Sequence, residues 1–275
     1  MEQEGGAVLM NKKKLIYGSI IGVVLLAMYL PILVLVYFSF SETRIMNFAD
    51  YQFGFGLYRD LLRSSHILIA VFNTFFVAVI AAAIATLIGT MAAVGIQNMR
   101  KAHYKGAVMA LNLIPIINAT IVTSFSLMLF FVASGIFGGY VRLIMAHIII
   151  CLPIAVLIII PRLKSLDKNL FDAATDLGAK PMHAFFSVVV PQLMPVMISA
   201  FLVGFTLSLG DFIITQYNNE GIQTISTLVF NATRGPVPAV YRALTSVIFF
   251  AVMAVLIVVN IRVARQSKKR KTENY

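Results

Sequence analysis

Long apolar runs alternate with short polar segments along the whole chain. Six runs are long enough to cross a bilayer: Leu15–Phe38, Ile67–Ile96, Gly106–Ala133, Tyr140–Leu163, Phe186–Leu209 and Ala243–Ile261. A helix rises about 1.5 Å per residue and the hydrocarbon core is about 30 Å thick, so about 20 apolar residues suffice. Backbone surrounded by lipid must satisfy its own hydrogen bonds, which makes these runs helices. None shows the two-residue alternation of a barrel strand. The pattern predicts an all-α integral membrane protein with six transmembrane helices. A transmembrane domain over 15–262 follows a tail, 1–14, and precedes a basic tail, 263–275. The second and third runs exceed the required length and leave room for tilt. Pro115, Pro153 and Pro195 predict kinks. The first run follows Lys12, Lys13 and Lys14 as a signal sequence would, but its 24 residues exceed the roughly 7–15 of a signal core. It is read as a retained helix.

Composition agrees: 60% of the 275 residues are hydrophobic and only 12% are charged. The net charge of +11 would suggest nucleic acid in a soluble chain. Here the charges lie between the runs, so they report orientation, and no nucleic-acid partner is expected. Sixteen of the 22 Lys and Arg fall on one side, in the N-terminal tail, the 97–105 loop, the 162–185 segment and the C-terminal tail. The other side holds Arg44, Arg59, Arg63, Arg142, Arg234 and Arg242. The positive-inside rule then places both termini in the cytoplasm. The single cysteine, Cys151, excludes an intrachain disulfide and a cysteine metal cluster. Trp is absent, so Tyr must supply most of an interfacial belt. The outside segment 39–66 carries Phe48, Tyr51, Phe53, Phe55 and Tyr58. It reads as a stretch lying on the membrane surface or as a docking surface for an external partner.

The most informative segment is SLDKNLFDAATDLGAKPMHAFFSVVVP, residues 165–191. Ser165 or Asp167 can cap a helix start. Leu166, Leu170, Phe171 and Leu177 follow at helical spacings, and Gly178 stands where a left-handed C-terminal cap belongs. Pro181 then restarts a helix at its first position, and this feeds the fifth run. Ala173 and Ala174 keep one side of the short helix low beside the large Phe171. That profile suits a protein partner, or packing against the end of the chain's own bundle.

The spacing within this segment resembles the cytoplasmic signature of permease subunits of ABC importers: EAA, three residues, Gly, nine residues, Ile, one residue, Leu-Pro. Here Asp172-Ala173-Ala174 is followed after three residues by Gly178, then after nine by Val188, and after one more by Val190-Pro191. Asp replaces Glu, Val replaces Ile, and Val replaces Leu. The resemblance implies the type I ABC importer permease fold, with a cytoplasmic coupling helix over about 164–185. Phe171, Asp172, Ala173, Ala174 and Gly178 would form or shape the contact with a cytoplasmic ATP-binding subunit dimer. It further implies a sister permease subunit, an external substrate-binding protein, and a location in the bacterial plasma (inner) membrane with its lipid. The chain has no phosphate-loop motif, and no glycine in it is followed directly by Lys. ATP hydrolysis is therefore expected from a partner, with neither a catalytic residue nor a cofactor here.

Asn73-Thr74 opens the second run as the family's frequent Asn-Ser/Thr does, and the stretch Phe205–Phe212, with Thr227–Phe230 through Arg234-Gly235, Pro238 and Ala243–Ser246, resembles permeases of the spermidine/putrescine type, the second of that system's two more than the first. Polyamines are polycations, so their path should offer acids, carbonyls or aromatic faces. Asp211, at an outer span end, is the one candidate contact or gate. It also reads, by slight preference, as the cap of an outer helix or as the partner of Arg234 or Arg242. Arg142 would repel a cation if it faced the path. His147 is expected to be a satisfied core histidine, because no set of ligands surrounds it at metal-binding spacing. An ion-coupled secondary transporter would need buried acids and inverted repeats. An intramembrane enzyme would need a third group to orient Cys151 and His147. Neither requirement is met.

Overall fold

The computed structural model describes residues 2–43, 45–136, 138–254 and 257, with side chains from Tyr17 onward except those of 168 and 170–172. Among the described residues the chain is helical, and the only extended pairing is an isolated bridge between Ser41 and Phe53. Two compact units form, one from 1–65 with 232–275 and the other from 66–231.

The first unit contains α1 (Glu2–Ser39), α2 (Gly56–Arg63) and α12 (Val240–Ala254). Helix α1 is apolar on every face from Tyr17 to Leu30, and these side chains are exposed, as expected of a helix solvated by lipid. Its end is tied down: Tyr58 Oη is 2.7 Å from Ser39 Oγ and donates to Ser246 Oγ at 3.1 Å. Arg242 donates to the Thr43 carbonyl at 2.8 Å. The aromatic stretch folds back on itself. Glu42 N donates to the Gln52 carbonyl at 2.9 Å and Gly54 N to that of Phe40 at 2.8 Å, while Tyr37 and Tyr51 stack at 4.3 Å. Phe48, Phe53 and Phe55 remain exposed. The sixth expected span, Ala243–Ile261, lies partly outside the described residues, and α12 covers its described part. The basic tail 263–275 lies wholly outside them.

The second unit holds α3 (Ser65–Asn98, from His66 on), α4 (Ala102–Ile117), α5 (Thr120–Ala133), α6 (Tyr140–Ser165), α7 (Lys168–Asp176) and α8 (Pro181–Ala184). A π turn at Phe185–Val189, α9 (Val190–Gly210), α10 (Phe212–Asn218) and α11 (Ile225–Ala232) complete it. Small residues make its core. Ala70, Ala78, Ala81, Ala82, Ala85, Gly89 and Ala93 run down α3 at three- and four-residue spacings and are buried. A Cβ at position 89 would crowd the Ala155 methyl at 2.8 Å, so glycine there allows α3 and α6 to meet closely. Ala93, Ile96, Ala155, Val156, Ile159, Ile160 and Ala200 form one cluster joining α3, α6 and α9. Lipid offers no hydrophobic drive between helices, so such close packing is what holds them together.

The structure corrects one expectation. The third run, Gly106–Ala133, is not one kinked helix: α4 and α5 meet at 103°. The bend falls at Asn118 (ψ 148°) and Ala119 (ψ 129°), three residues beyond Pro115. Pro115 lacks the N–H that would bond one turn back. Asn118 Nδ2 then donates to Thr123 Oγ1 at 3.2 Å across the break. Among the described residues four helices are long and apolar enough to cross alone, and the bent pair makes a fifth if it counts as one span.

Candidate functional sites

The signature segment is held by local backbone geometry. Asp167 Oδ1 accepts from Asn169 N at 3.0 Å and caps α7; of the two expected caps, Ser165 instead donates to the Arg162 carbonyl. At the far end Gly178 N donates to the Thr175 carbonyl at 2.9 Å and Ala179 N to that of Ala174 at 3.1 Å. This pair of bonds is the Schellman termination, which requires a left-handed residue. Gly178 supplies it with φ +88°. Pro181 then starts α8 at its first position. The π turn follows, closed by Val190 N on the Phe185 carbonyl. Pro191 has no N–H, and Gln192 Nε2 donates to the Val188 carbonyl at 2.9 Å. Ala173 is exposed and Ala174 half-buried; the side chains of Phe171 and Asp172 lie outside the described set. Sequence reading counted Leu177 as part of the helical pattern only. In the structure it is 90% exposed, on the turn beside Gly178.

The opposite end of the unit is built differently. Helix α10, of seven residues, is about 10 Å long, too short to cross, and it packs against α5 and α6. Asp211 lies between α9 and α10, and its Oδ1 accepts from Ile214 N at 2.7 Å: it is the cap of α10. Side chains from three helices, α3, α5 and α6, hold the α10–α11 segment. Asn73 Nδ2 donates to the Gln223 carbonyl at 2.8 Å, and Thr74 Oγ1 accepts from Ile225 N at 2.8 Å. Ser124 donates to the Ile213 carbonyl at 3.0 Å. Tyr140 Oη fixes Asn73 by donating to its Oδ1 at 2.6 Å. Arg142 opens α6 buried, with Nη1 donating to Glu220 Oε1 and Nη2 to the Tyr217 carbonyl.

His147 is satisfied on both ring nitrogens, and the arrangement fixes its tautomer. The Thr215 hydroxyl has one proton and gives it to the Asp211 carbonyl at 2.8 Å. It must therefore accept from His147 Nε2, 3.0 Å away. Nδ1 is then bare and accepts from Ser208 Oγ at 2.9 Å. Neutral His147 thus joins α6 to both α9 and α10, as a core histidine should. A small recess of about 10 Å³ adjoins it, lined by Thr74, His147, Ser208, Thr215, Thr224 and Ser226. No group of three potential metal ligands occurs among the described residues.

The sequence pattern of the family described as "binding-protein-dependent transport system inner membrane component" matches residues 85–272, which include the whole signature segment. The chain belongs to that family. It is a multi-pass inner-membrane permease subunit of the ABC importer class. It is 32% identical to the putrescine transport system permease protein PotI of Escherichia coli K12, over 88% of this chain and 89% of that protein. It is 27% identical to the spermidine/putrescine permease PotC of Haemophilus influenzae, over 84% of this chain and 89% of that protein. For PotC of E. coli K12 the figures are 26%, 94% and 97%. The resemblance to polyamine permeases drawn from the sequence is therefore correct. Among solved structures, a bacterial ABC transporter that imports the acidic polysaccharide alginate matches with TM-score 0.62 at 17% identity, covering 90% of this chain and 94% of that one. A further structure of the alginate transporter, with an alginate-loaded periplasmic protein, also scores 0.62, at 16% identity. At such identity these two establish the permease fold alone.

Proposed function

We propose that this permease is one of two membrane subunits of an ATP-driven importer of polyamines such as putrescine or spermidine. Its six helices, within 15–262, form half of the path, and both termini lie in the cytoplasm. The N-terminal tail 1–14 and the basic tail 263–275 flank that domain. Segment 164–185 is the coupling element. α7 sits in a cleft of a cytoplasmic ATPase dimer, with Phe171, Asp172, Ala173 and Ala174 facing it and Gly178 shaping the turn. Leu177 belongs with them, because a large apolar side chain left in the open needs a cover. ATP-driven closure of the dimer pushes on α7, and the rigid termination at Gly178 passes that motion through α8 to α9. The path then opens outward, an external binding protein delivers solute, and hydrolysis resets it. Asp211 is the candidate acid at the outer end of the path, with Oδ1 committed to the cap of α10. The likeness to putrescine and spermidine permeases over most of the chain supports the choice of solute.

The observation that carries this reading is the match between signature spacing and geometry: a capped nine-residue helix ending in a left-handed glycine and restarting at a proline. The test is purification from the native host in mild detergent, followed by uptake in vesicles. We expect an ATPase and a second six-span subunit to accompany the chain, and labelled putrescine or spermidine to enter only with ATP. Phe171→Ala should abolish ATPase association or uptake with membrane insertion intact. A chain that transports alone, driven by an ion gradient, overturns the proposal.

A further inference from the structure

The start of α6 carries a buried charge with no part in the function proposed so far. Arg142 is 3% exposed and its partner Glu220 is 52% exposed, with 3.1 Å between Nη1 and Oε1. Nη2 is spent on the Tyr217 carbonyl and Nε finds no acceptor. A guanidinium taken out of water strongly disfavours the loss of its counter-ion, so Glu220 is what makes this position tolerable for Arg142.

The backbone is distorted to deliver that carboxylate. Glu220 has φ +39° and is the only non-glycine residue with positive φ among the described residues. Left-handed backbone is unfavourable for a side-chain-bearing residue and persists where surrounding contacts impose it. The opposing residue is Gly138, where a Cβ would fall on the Glu220 side chain; the missing side chain is the slot that Glu220 occupies. A strained turn, an emptied slot and a buried cation thus converge on one ion pair. It joins the start of α6 to the turn between α10 and α11.

We propose that Arg142 and Glu220 are positioning residues of transport: their ion pair latches the α10–α11 segment onto α6 and must part for solute to enter. The chemistry suits a reversible catch. Glu220 is half open to water, so its carboxylate is rehydrated as it leaves. Water that enters behind it reaches Arg142, which is then no longer a stranded charge. The deeper anchors of the segment at Ile213, Thr215 and Ile225 are neutral hydrogen bonds and can survive a movement of the turn. This inference rests on the reading of the chain as an import permease subunit.

The test uses the whole complex in proteoliposomes with its binding protein and putrescine. Stimulation of wild-type ATPase by loaded binding protein is measured first, and its absence counts against the import reading and not against the latch. Glu220→Gln keeps the side chain's size and removes its charge. It should raise ATPase without solute severalfold and lessen further stimulation; unchanged rates overturn the proposal. Arg142→Gln with Glu220→Gln leaves no buried charge and should keep the raised basal rate. Its return to the wild-type rate would mean that only a stranded charge mattered, and would also overturn the latch.

Discussion

The two ends of the second unit solve opposite problems. The α7 segment takes its shape from itself: Asp167 caps it, the Schellman bonds close it, and Gly178 and Pro181 turn it. Its side-chain surface at Ala173, Asp176 and Leu177 is left exposed. The α10–α11 segment has local caps at Asp211 and at Thr224 with Thr227, and it is bolted in addition by side chains from distant parts of the chain, such as Asn73 on Gln223 and Arg142 on Glu220. On the proposed reading α7 is gripped from outside and keeps its shape without support, whereas the α10–α11 segment, proposed as a latch, depends on many anchors of which some can release.

Mutations can break this contrast at either end. The largest effect is expected for Gly178→Leu: the φ of +88° costs a branched side chain about 1–2 kcal/mol, and the turn it deforms sets the direction of α8. Uptake should fall to background with normal insertion, and retained uptake would separate the turn from coupling. His147→Ala comes next. It removes the His147 bonds to Ser208 and Thr215 and leaves Thr215 only the Asp211 carbonyl, so we expect about 1–3 kcal/mol of lost stability, read as a lower unfolding temperature in detergent. Asp167→Ala removes one exposed cap, worth about 1 kcal/mol, and should reduce coupled ATPase a few-fold without altering the unfolding temperature. Lys105→Met breaks a single contact between the end of α3 and the start of α4, to Gln97, for which the unfolding temperature should stay unchanged.

Local signals were legible in the sequence and distant ones were not. The apolar runs of α3, α6 and α9 were visible because length alone identifies a span. The signature was visible because a cap, a glycine and a proline act on neighbouring residues. The break after Pro115 was expected as a kink, since the sequence does not distinguish a bent helix from one that stops at Asn118. His147 was foreseen as a satisfied histidine, but Ser208 and Thr215, some sixty residues further on, could not be named. Asp211 was foreseen as a cap or a contact, and the cap is what the geometry displays. Arg142 was weighed only as a repulsive charge. Its pairing needed Gly138 and Glu220 to meet in space, and no periodicity marks either.

The π turn at Phe185–Val189 also sets the phase of everything after it. A wide turn inserts one residue into a helix, and one residue is about 100° of rotation. The faces of α8 and α9 are therefore out of step by about that angle with a helical wheel drawn straight through 181–210. A torque applied at α7 reaches the bilayer on a different side of the helix from the one a regular spiral would select. Pro191, fixed by the signature just past that turn, sits where the rotation is complete.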